Sequence, residues 1–348
     1  MAETLPTVTP SAAAQPAGVA WPTRAWPRGT AARDVDALVG AAFRDPALAE
    51  TYAVVVVQGG LLVAERYGGA LPSFVHAPAP VTRDTPLLSW SMAKSVLHAA
   101  IGLVVDEGRL DPDAPAPVPE WGEGDPRSRI TLRQLLEMRD GLRWAEDYVD
   151  ETVSDVITML FGEGDTDVAA FVAAHPLAHP PGSTFNYSSG TSNLVARILG
   201  SVVGRGEPTV AFLRDRLFGP LGMHDATVKL DDAGTFIASS FVYCSARSFA
   251  KFATLYLRGG AWEGTQLLSR SWVDGAQVPV SVDDVPRTYY SQHWWLDGTG
   301  TFWASGHEGQ RAVVVPAHDA IVVRYGRTPA ERYPALRAWV GSLVAALG

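Results

Sequence analysis

The distribution of strand-like and helix-like segments along the 348 residues constrains the fold of this chain most strongly. Four runs rich in β-branched and aromatic residues predict strands at residues 52–57, 61–67, 312–315 and 320–325. The Gln58-Gly59-Gly60 break between the first two predicts a hairpin, and residues 330–347 have the pattern of a closing helix. Because strands need partners, two pairs this far apart predict an antiparallel sheet completed by both ends of the chain.

The middle of the chain has a different pattern. Apolar residues recur with helical spacing over 132–136, 168–174 and 194–203, and proline and glycine occupy the connections. We therefore predict an α+β fold in three parts: a flexible Pro/Ala-rich segment at 1–29, a lobe with the antiparallel sheet and its flanking helices at 30–115 and 236–348, and an inserted all-helical lobe at 116–235.

Composition and charge narrow the classes of partner. The 37 acidic residues outnumber the 28 basic ones, and the net charge of −9 would repel a phosphate backbone, so we expect no nucleic-acid partner. The longest near-apolar stretch, 96–105, is shorter than the roughly 18 residues of a membrane span. The first 29 residues lack the positive start and apolar run of a secretory signal. The expectation is a soluble, cytoplasmic protein with its single cysteine, Cys244, buried.

Lysine occurs at only three positions, and two of them complete a Ser-x-x-Lys motif, at Ser91 to Lys94 and at Ser248 to Lys251. After Ser91 the apolar positions follow a helical period, so this serine is predicted to open a buried helix. In the second motif the aromatic residues form the apolar stripe of the helix. Ser248 and Lys251 are left on its more polar side, which predicts a solvated surface pair.

Ser91 and Lys94 suit a nucleophile and its base. Three positions apart on a helix, their Cβ atoms lie roughly 5–6 Å apart, so the amine can take the hydroxyl proton. Lys94 can act as a base only if burial disfavours its charged form, and a helix start supplies free N–H groups for an oxyanion. A helix-capping serine beside a surface lysine has the same spacing, so other motifs are needed to distinguish a catalytic pair from a structural one.

Two further segments carry polar groups beside predicted helices or strands. The loop at 180–190 presents Tyr187 just before a helix, and a phenol near a cationic lysine can be driven towards phenolate and pass a proton to a leaving group. Near the end, His307-Glu308-Gly309 leads into the last apolar runs, and glycine lets a ligand approach the backbone closely. The ordinary alternatives are a loop tyrosine packed on the core and a structural histidine.

Together these motifs resemble a known family. Ser91-x-x-Lys94, a Pro-Gly-led Tyr187-x-Ser and His307-x-Gly are similar to the motifs of the serine β-lactamase and penicillin-binding protein superfamily. The resemblance is closest to its esterase and 6-aminohexanoate-dimer hydrolase branch, and it extends from about residue 21 to the C-terminus. Such motifs are specific only in the right structural context, here a sheet-and-helix lobe joined to a helical lobe.

The resemblance implies roles for individual residues. Ser91 is expected to be the nucleophile, Lys94 the general base and Tyr187 the acid/base that serves the leaving group. The backbone amides of Ser91 and Gln310 would form the oxyanion hole. The residues expected to bind substrate are His307, Gly309, Tyr148 and Ser189; Tyr148 belongs to an acidic loop similar to one that borders the pocket in the nylon-oligomer branch.

The chain also departs from the family pattern at two positions. Ser189 stands where many β-lactamases have asparagine, and His307 stands where they have lysine. The positive charge that would bind the carboxylate of a β-lactam is therefore reduced. Efficient antibiotic hydrolysis is therefore not expected. Trp294 and Trp295 fit either an apolar pocket wall or ordinary core packing, and we favour packing.

The sequence predicts a serine hydrolase that cleaves small esters or linear amides through an acyl-serine intermediate. The alternatives are a β-lactam- or peptide-binding protein with little turnover, a β-lactamase and a D-Ala peptidase. The sequence has no Gly-x-Ser-x-Gly elbow, zinc-protease motif or phosphate loop, so neither a metal nor a cofactor is expected. A homodimer is compatible with the sequence.

Overall fold

The computed structural model describes residues 4–71 and 78–348. The strands in these ranges are β1 (Glu50–Gln58), β2 (Leu61–Tyr67), β3 (Ala70–Leu71), β4 (Ala79–Pro80), β5 (Leu87–Leu88), β6 (Thr227–Val228), β7 (Val242–Cys244), β8 (Ala261–Trp262), β9 (Thr265–Gln266), β10 (Ser281–Val282), β11 (Tyr289–Tyr290), β12 (Trp295–Leu296), β13 (Phe302–Gly306), β14 (Gln310–Val315) and β15 (Ala320–Arg327). The helices are α1 (Arg33–Ala41), α2 (Ala93–Asp106), α3 (Leu132–Leu136), α4 (Asp155–Phe161), α5 (Val168–Ala173), α6 (Ser189–Val203), α7 (Glu207–Leu213), α8 (Gly219–Leu221), α9 (Ala246–Leu257), α10 (Arg270–Gly275) and α11 (Tyr333–Ala346).

An eight-stranded antiparallel sheet organises the fold, with the strand order β10-β11-β12-β13-β14-β15-β1-β2. β1 and β2 form the predicted N-terminal hairpin, and β14 and β15 form the second predicted pair. β15 then pairs with β1 from Glu50 opposite Arg327 to Gln58 opposite Ala320. The prediction of a sheet completed by both ends of the chain is confirmed.

Both faces of the sheet are covered by helices. In β1, Val55 and Val57 belong to the main core with α2 and α9, whereas Val54 and Val56 pack in a second core with α1 and α11. Side chains alternate between the two faces of a strand, so a strand buried on both faces has a continuous apolar run. The unbroken valines of β1 follow from this double burial.

The helical patterns predicted at 132–136, 168–174 and 194–203 are confirmed as α3, α5 and α6. Thr131 begins α3 with a capping box, because its side chain accepts from the Gln134 amide while the Gln134 side chain accepts from the Thr131 amide. The lobe boundaries at residues 115 and 235 stay a prediction. None of the helices in residues 4–71 and 78–348 combines the length and apolarity that crossing a membrane requires.

The N-terminal segment, expected to be flexible from its composition, contacts the body of the protein in the structure. Within residues 4–29, the Ser11 amide donates to the Gln277 side chain (3.0 Å) and the Ala13 amide donates to the Leu257 carbonyl oxygen (2.9 Å). Trp26 is 8% exposed and donates from its indole to the Arg247 carbonyl oxygen. Proline and alanine do not preclude docking when tryptophans can bury apolar area against the body of the protein.

The second Ser-x-x-Lys pair is buried in α9, and the prediction of a solvated surface pair is wrong. Lys251 Nζ donates to the carbonyl oxygens of Gly222 (2.6 Å) and Thr23 (3.3 Å), and the Ser248 hydroxyl donates to Asp225. The docked N-terminal segment and the α8 turn cover this side of α9, which a helical pattern alone does not reveal. Cys244 is fully buried, as predicted.

Candidate active site

Ser91 lies in a single 3-10 turn, Trp90–Met92, that runs directly into α2. The helix is buried on all sides from Ala93 to Val104, and Ser91 itself is 9% exposed. Trp90 has a φ of 47°, in a region that non-glycine residues occupy at a cost of about 1–3 kcal/mol. Anchoring by the buried helix offsets this strain and fixes the Ser91 hydroxyl at a helix start.

Lys94 is held beside Ser91 by three hydrogen bonds. Its Nζ donates to Ser91 Oγ (2.9 Å), to Ser189 Oγ (3.0 Å) and to the Ser239 carbonyl oxygen (2.9 Å), and the residue is 2% exposed. Burial lowers the pKa of Lys94 to about 8, while the charge of Glu146 acts in the opposite direction. Since this pKa lies near neutral pH, a useful fraction of Lys94 is free to accept the Ser91 proton.

Tyr187 joins this pair from the loop before α6. Lys94 Nζ lies 4.9 Å from the centroid of the Tyr187 ring, and the Ser91 hydroxyl interacts with the phenol. The rings of Tyr290 and Trp295 pack against Tyr187 with centroid distances of 5.8 and 5.4 Å. The structure thus brings together the serine, the lysine and the tyrosine that the sequence motifs singled out.

The structure does not support the expectation that the lysine drives Tyr187 towards phenolate. Burial raises the pKa of Tyr187 above its usual value, Glu146 raises it further, and only Ser91 and Arg311 act to lower it. The phenol therefore stays protonated at neutral pH. It is a proton donor in the resting site, with Lys94 as the group that accepts a proton.

Glu146 is the residue of the site to which sequence reasoning gave no role. Its carboxylate accepts from the Ser189 amide (2.8 Å), the Ser189 hydroxyl (2.5 Å), the Trp144 indole (2.5 Å) and the Tyr148 phenol. Ser189, expected to bind substrate, therefore has its hydroxyl bonded to both Lys94 and Glu146. The acidic loop at 146–148 was the available signal, but a pattern cannot show which acid turns inward.

Tyr148 and His307 lie side by side at the site. Their ring centroids are 4.9 Å apart, and Trp90 packs edge-on against His307 at 5.4 Å. Tyr148 remains 41% exposed. Burial lowers the pKa of His307, so the imidazole is neutral at neutral pH and provides no fixed cation for a carboxylate. Contact of these two residues with substrate stays a prediction.

The glycines around His307 accommodate protein atoms. A Cβ on Gly306 would lie 2.4 Å from the Ser89 carbonyl oxygen, so glycine lets β13 approach the segment just before Ser91. A Cβ on Gly309, where φ is 82°, would lie 2.7 Å from a methyl carbon of Leu336 in α11. The structure thus gives a packing reason for glycine at position 309, and its contact with substrate stays a prediction.

The side chain of Gln310 closes the turn between β13 and β14. Its Nε2 donates to the Gly326 carbonyl oxygen (2.7 Å) and its Oε1 accepts from the Gly326 amide (2.9 Å). These bonds fix the backbone of Gln310 relative to β15. A role of the Gln310 backbone amide in the oxyanion hole stays a prediction, as does that of the Ser91 amide.

The two adjacent tryptophans have different environments. Trp294 is fully buried, with its ring 4.5 Å from that of Tyr256 and 5.2 Å from that of Phe302, so the preference for core packing is confirmed there. Trp295 is half-buried and contacts Tyr187. Of these two tryptophans, Trp295 is therefore the one that borders the site.

The fold and the Ser-Lys-Tyr cluster define a serine hydrolase of the β-lactamase-like class. The profile of the beta-lactamase family matches residues 6–345, and the chain belongs to this family. It is also 29% identical, over 313 residues, to the 6-aminohexanoate-dimer hydrolase of Paenarthrobacter ureafaciens, an alignment that covers 84% of this chain and 75% of the relative. The predicted family is therefore confirmed.

Solved structures agree on the fold. A protein assigned as a 6-aminohexanoate-dimer hydrolase from Bacillus anthracis superimposes with a TM-score of 0.78 at 21% identity, covering 98% of this chain and 91% of the other. A family VIII carboxylesterase superimposes with a TM-score of 0.68 at 17% identity, covering 91% and 99%. At these identities the likeness shows the β-lactamase-like fold alone.

The Glu146 carboxylate is expected to set the pH at which Lys94 becomes a base. Because its charge raises the pKa of Lys94, Glu146→Gln should lower that pKa, so the rise of kcat/KM with pH should have its midpoint below the value near 8 expected for the wild type. The measurement is the pH dependence of ester hydrolysis by both proteins.

The neighbouring acid offers a matched control. Asp147 accepts hydrogen bonds from the Val149 and Asp150 amides of its own loop, so Asp147→Asn should leave the midpoint unchanged. If Glu146→Gln lowers kcat/KM equally at every pH without moving the midpoint, Glu146 merely holds the loop and has no influence on Lys94.

Proposed function

We propose that this protein hydrolyses small esters or linear amides through a covalent acyl-Ser91 intermediate. The observation that carries the proposal is the buried Lys94 amine, bonded to Ser91 Oγ at 2.9 Å and held at a pKa of about 8, with the protonated Tyr187 phenol beside both. A nucleophile, a base with a suitable pKa and a proton donor are the groups that acyl transfer requires.

In the acylation step neutral Lys94 takes the proton of Ser91 as Oγ attacks the carbonyl carbon. The negative charge on the carbonyl oxygen would be stabilised by the backbone N–H groups of Ser91 and Gln310. Tyr187 donates its proton to the leaving alcohol or amine and regains one from the Lys94 ammonium. In deacylation water is the nucleophile and these proton transfers run in reverse, which returns Ser91 and releases the acid.

The walls of the site are largely aromatic, which favours substrates with apolar segments. Aromatic rings of Tyr148, Trp295 and Tyr290 surround Tyr187 and His307, and the imidazole is neutral. His307 therefore supplies no fixed cation for the carboxylate of a β-lactam. The similarity of this chain to the 6-aminohexanoate-dimer hydrolase, which covers most of its length, supports a linear amide as substrate.

A substrate panel tests the proposal. With p-nitrophenyl butyrate, the linear 6-aminohexanoate dimer and nitrocefin, we expect turnover of the ester or the linear amide and little hydrolysis of nitrocefin, together with a mass increase at Ser91 during turnover. Rapid hydrolysis of nitrocefin alone would show a β-lactamase. An acyl group that stays on Ser91 for hours with every compound would show a binding protein.

A further inference from the structure

A cavity of about 420 Å³ lies between the sheet and α11. It is on the α11 side of the sheet: Trp303 and Val313 line it, whereas the alternate residues Phe302 and Ala304 belong to the main core with α2. Its volume is in the range of small-molecule sites. One face of α11, at the spacing of successive helical turns, forms its outer wall with Tyr333, Leu336, Arg337, Val340, Gly341 and Val344.

Arg311 contributes a half-buried cation to this cavity. Its Nη1 donates to Ser305 Oγ (2.7 Å) and to the Gln310 carbonyl oxygen (2.8 Å), and its guanidinium carbon lies 5.7 Å from the Tyr333 ring centroid. It forms no ion pair with an acid within residues 4–71 and 78–348, and burial lowers its pKa to about 10. A partly desolvated cation without a counter-ion is unfavourable, so an anion in the cavity would gain a charge-assisted partner.

The acids in the wall of the cavity have other partners. Asp297 accepts from the Thr299 and Thr301 amides of its own turn, and Asp283 accepts from the Asp284 amide. Two exposed arginines, Arg287 and Arg337, also line the cavity. With three guanidinium groups and two carboxylates, the charged groups around the cavity have a net positive charge.

Most of the remaining wall is apolar, and α11 runs along it. Trp303, Val313, Leu336 and Val340 lie between Arg311 and the far end at Val344. The helical rise of 1.5 Å per residue places Val344 roughly 16 Å from Tyr333, the residue over which Arg311 is stacked. A cation at one end of an apolar groove of this length matches an anionic head with an apolar tail.

We propose that this cavity binds a carboxylate amphiphile, with the carboxylate at Arg311 and an unbranched apolar tail along α11 towards Val344. The site is a neighbour of the catalytic cluster, because Trp295 lines the cavity and also contacts Tyr187, but Ser91, Lys94 and Tyr187 are not among its walls. The proposal goes beyond the proposed hydrolase function and does not rest on it.

Titration calorimetry with decanoate tests the proposal on the intact wild-type protein. We expect saturable one-to-one binding, with decanol at least tenfold weaker and decyltrimethylammonium without saturable binding. Arg311→Gln should weaken the binding of decanoate at least tenfold, since charge-assisted hydrogen bonds to a carboxylate are stronger than those between neutral groups. Arg83→Gln, which removes an equal charge at an exposed arginine paired with Asp84, should bind decanoate as the wild type does.

A second variant tests whether the apolar tail of decanoate lies along α11. A Cβ on Gly341 meets open space, so Gly341→Leu should fold and fill the mouth of the groove, abolishing decanoate binding. Gly122, also exposed and without neighbours within 4 Å, provides the control Gly122→Leu. Wild-type affinity for decanoate in both Arg311→Gln and Gly341→Leu would overturn the proposal, and so would equal affinity for decanoate and decanol. The proposal would also fail if decanoate inhibited ester hydrolysis competitively with an inhibition constant equal to its dissociation constant, since decanoate would then bind in the catalytic site.

Discussion

Ser91→Ala is expected to reduce kcat/KM for ester hydrolysis by about 10⁴-fold or more, because removal of a catalytic nucleophile leaves only binding and the oxyanion donors. The substitution removes one oxygen atom at the start of α2. Its partner Lys94 keeps hydrogen bonds to Ser189 and Ser239, so the fold should be retained. Steady-state kinetics with p-nitrophenyl butyrate and intact mass after exposure to an activated phosphonate measure the effect.

The chain contains its own matched control for this variant. Ser248 also begins a Ser-x-x-Lys motif and is also buried, but its hydroxyl donates to Asp225 in a different part of the molecule. Ser248→Ala should retain wild-type rates within a few fold and should still acquire one phosphonate group. Wild-type turnover by Ser91→Ala, or a phosphonate that survives this substitution, would contradict a Ser91 nucleophile.

Lys94→Met is expected to lower kcat/KM by about 10²- to 10⁴-fold, the usual contribution of a general base. Methionine fills a similar volume but cannot take the Ser91 proton that the amine, 2.9 Å from Oγ, is placed to accept. The remaining activity should no longer rise through the pH range near 8 where the wild-type lysine loses its proton. A pH series of kcat/KM for both proteins measures both effects.

Lys251→Met is the control for this second variant. Lys251 is another buried lysine three positions after a serine, and its amine bonds only to the carbonyl oxygens of Gly222 and Thr23 among the hydrogen bonds of the described residues. We expect this variant to lose about 1–3 kcal/mol of stability through its unpaired carbonyl groups and to keep its pH profile. Equal losses of activity in Lys94→Met and Lys251→Met, with unchanged pH profiles, would show a structural role only.

Much of the site could be predicted because short-range geometry fixes it. A separation of three residues on a helix brings Ser91 and Lys94 together in any fold that keeps the helix. Runs of β-branched and aromatic residues similarly predicted the hairpin of β1 and β2 and the closing pair of β14 and β15. The motif order then linked these local features to a family and so to Tyr187.

Other features depend on contacts between distant segments. The two Ser-x-x-Lys pairs are equivalent in spacing, and the structure distinguishes them by what covers each amine: Ser91, Ser189 and Ser239 around Lys94, and backbone carbonyl groups around Lys251. The inward turn of Glu146 and the docking of the N-terminal segment likewise follow from partners far away in sequence.

The sequence by itself predicted the two terminal strand pairs, the helices between them, the family and the candidate serine, lysine and tyrosine, because local periodicity and motif spacing encode them. Only the tertiary structure decided the protonation states and the neighbours of the site. Desolvation lowers the pKa of Lys94 and raises that of Tyr187, and both effects depend on how many atoms exclude water around each group. That exclusion arises only when segments from across the chain pack together.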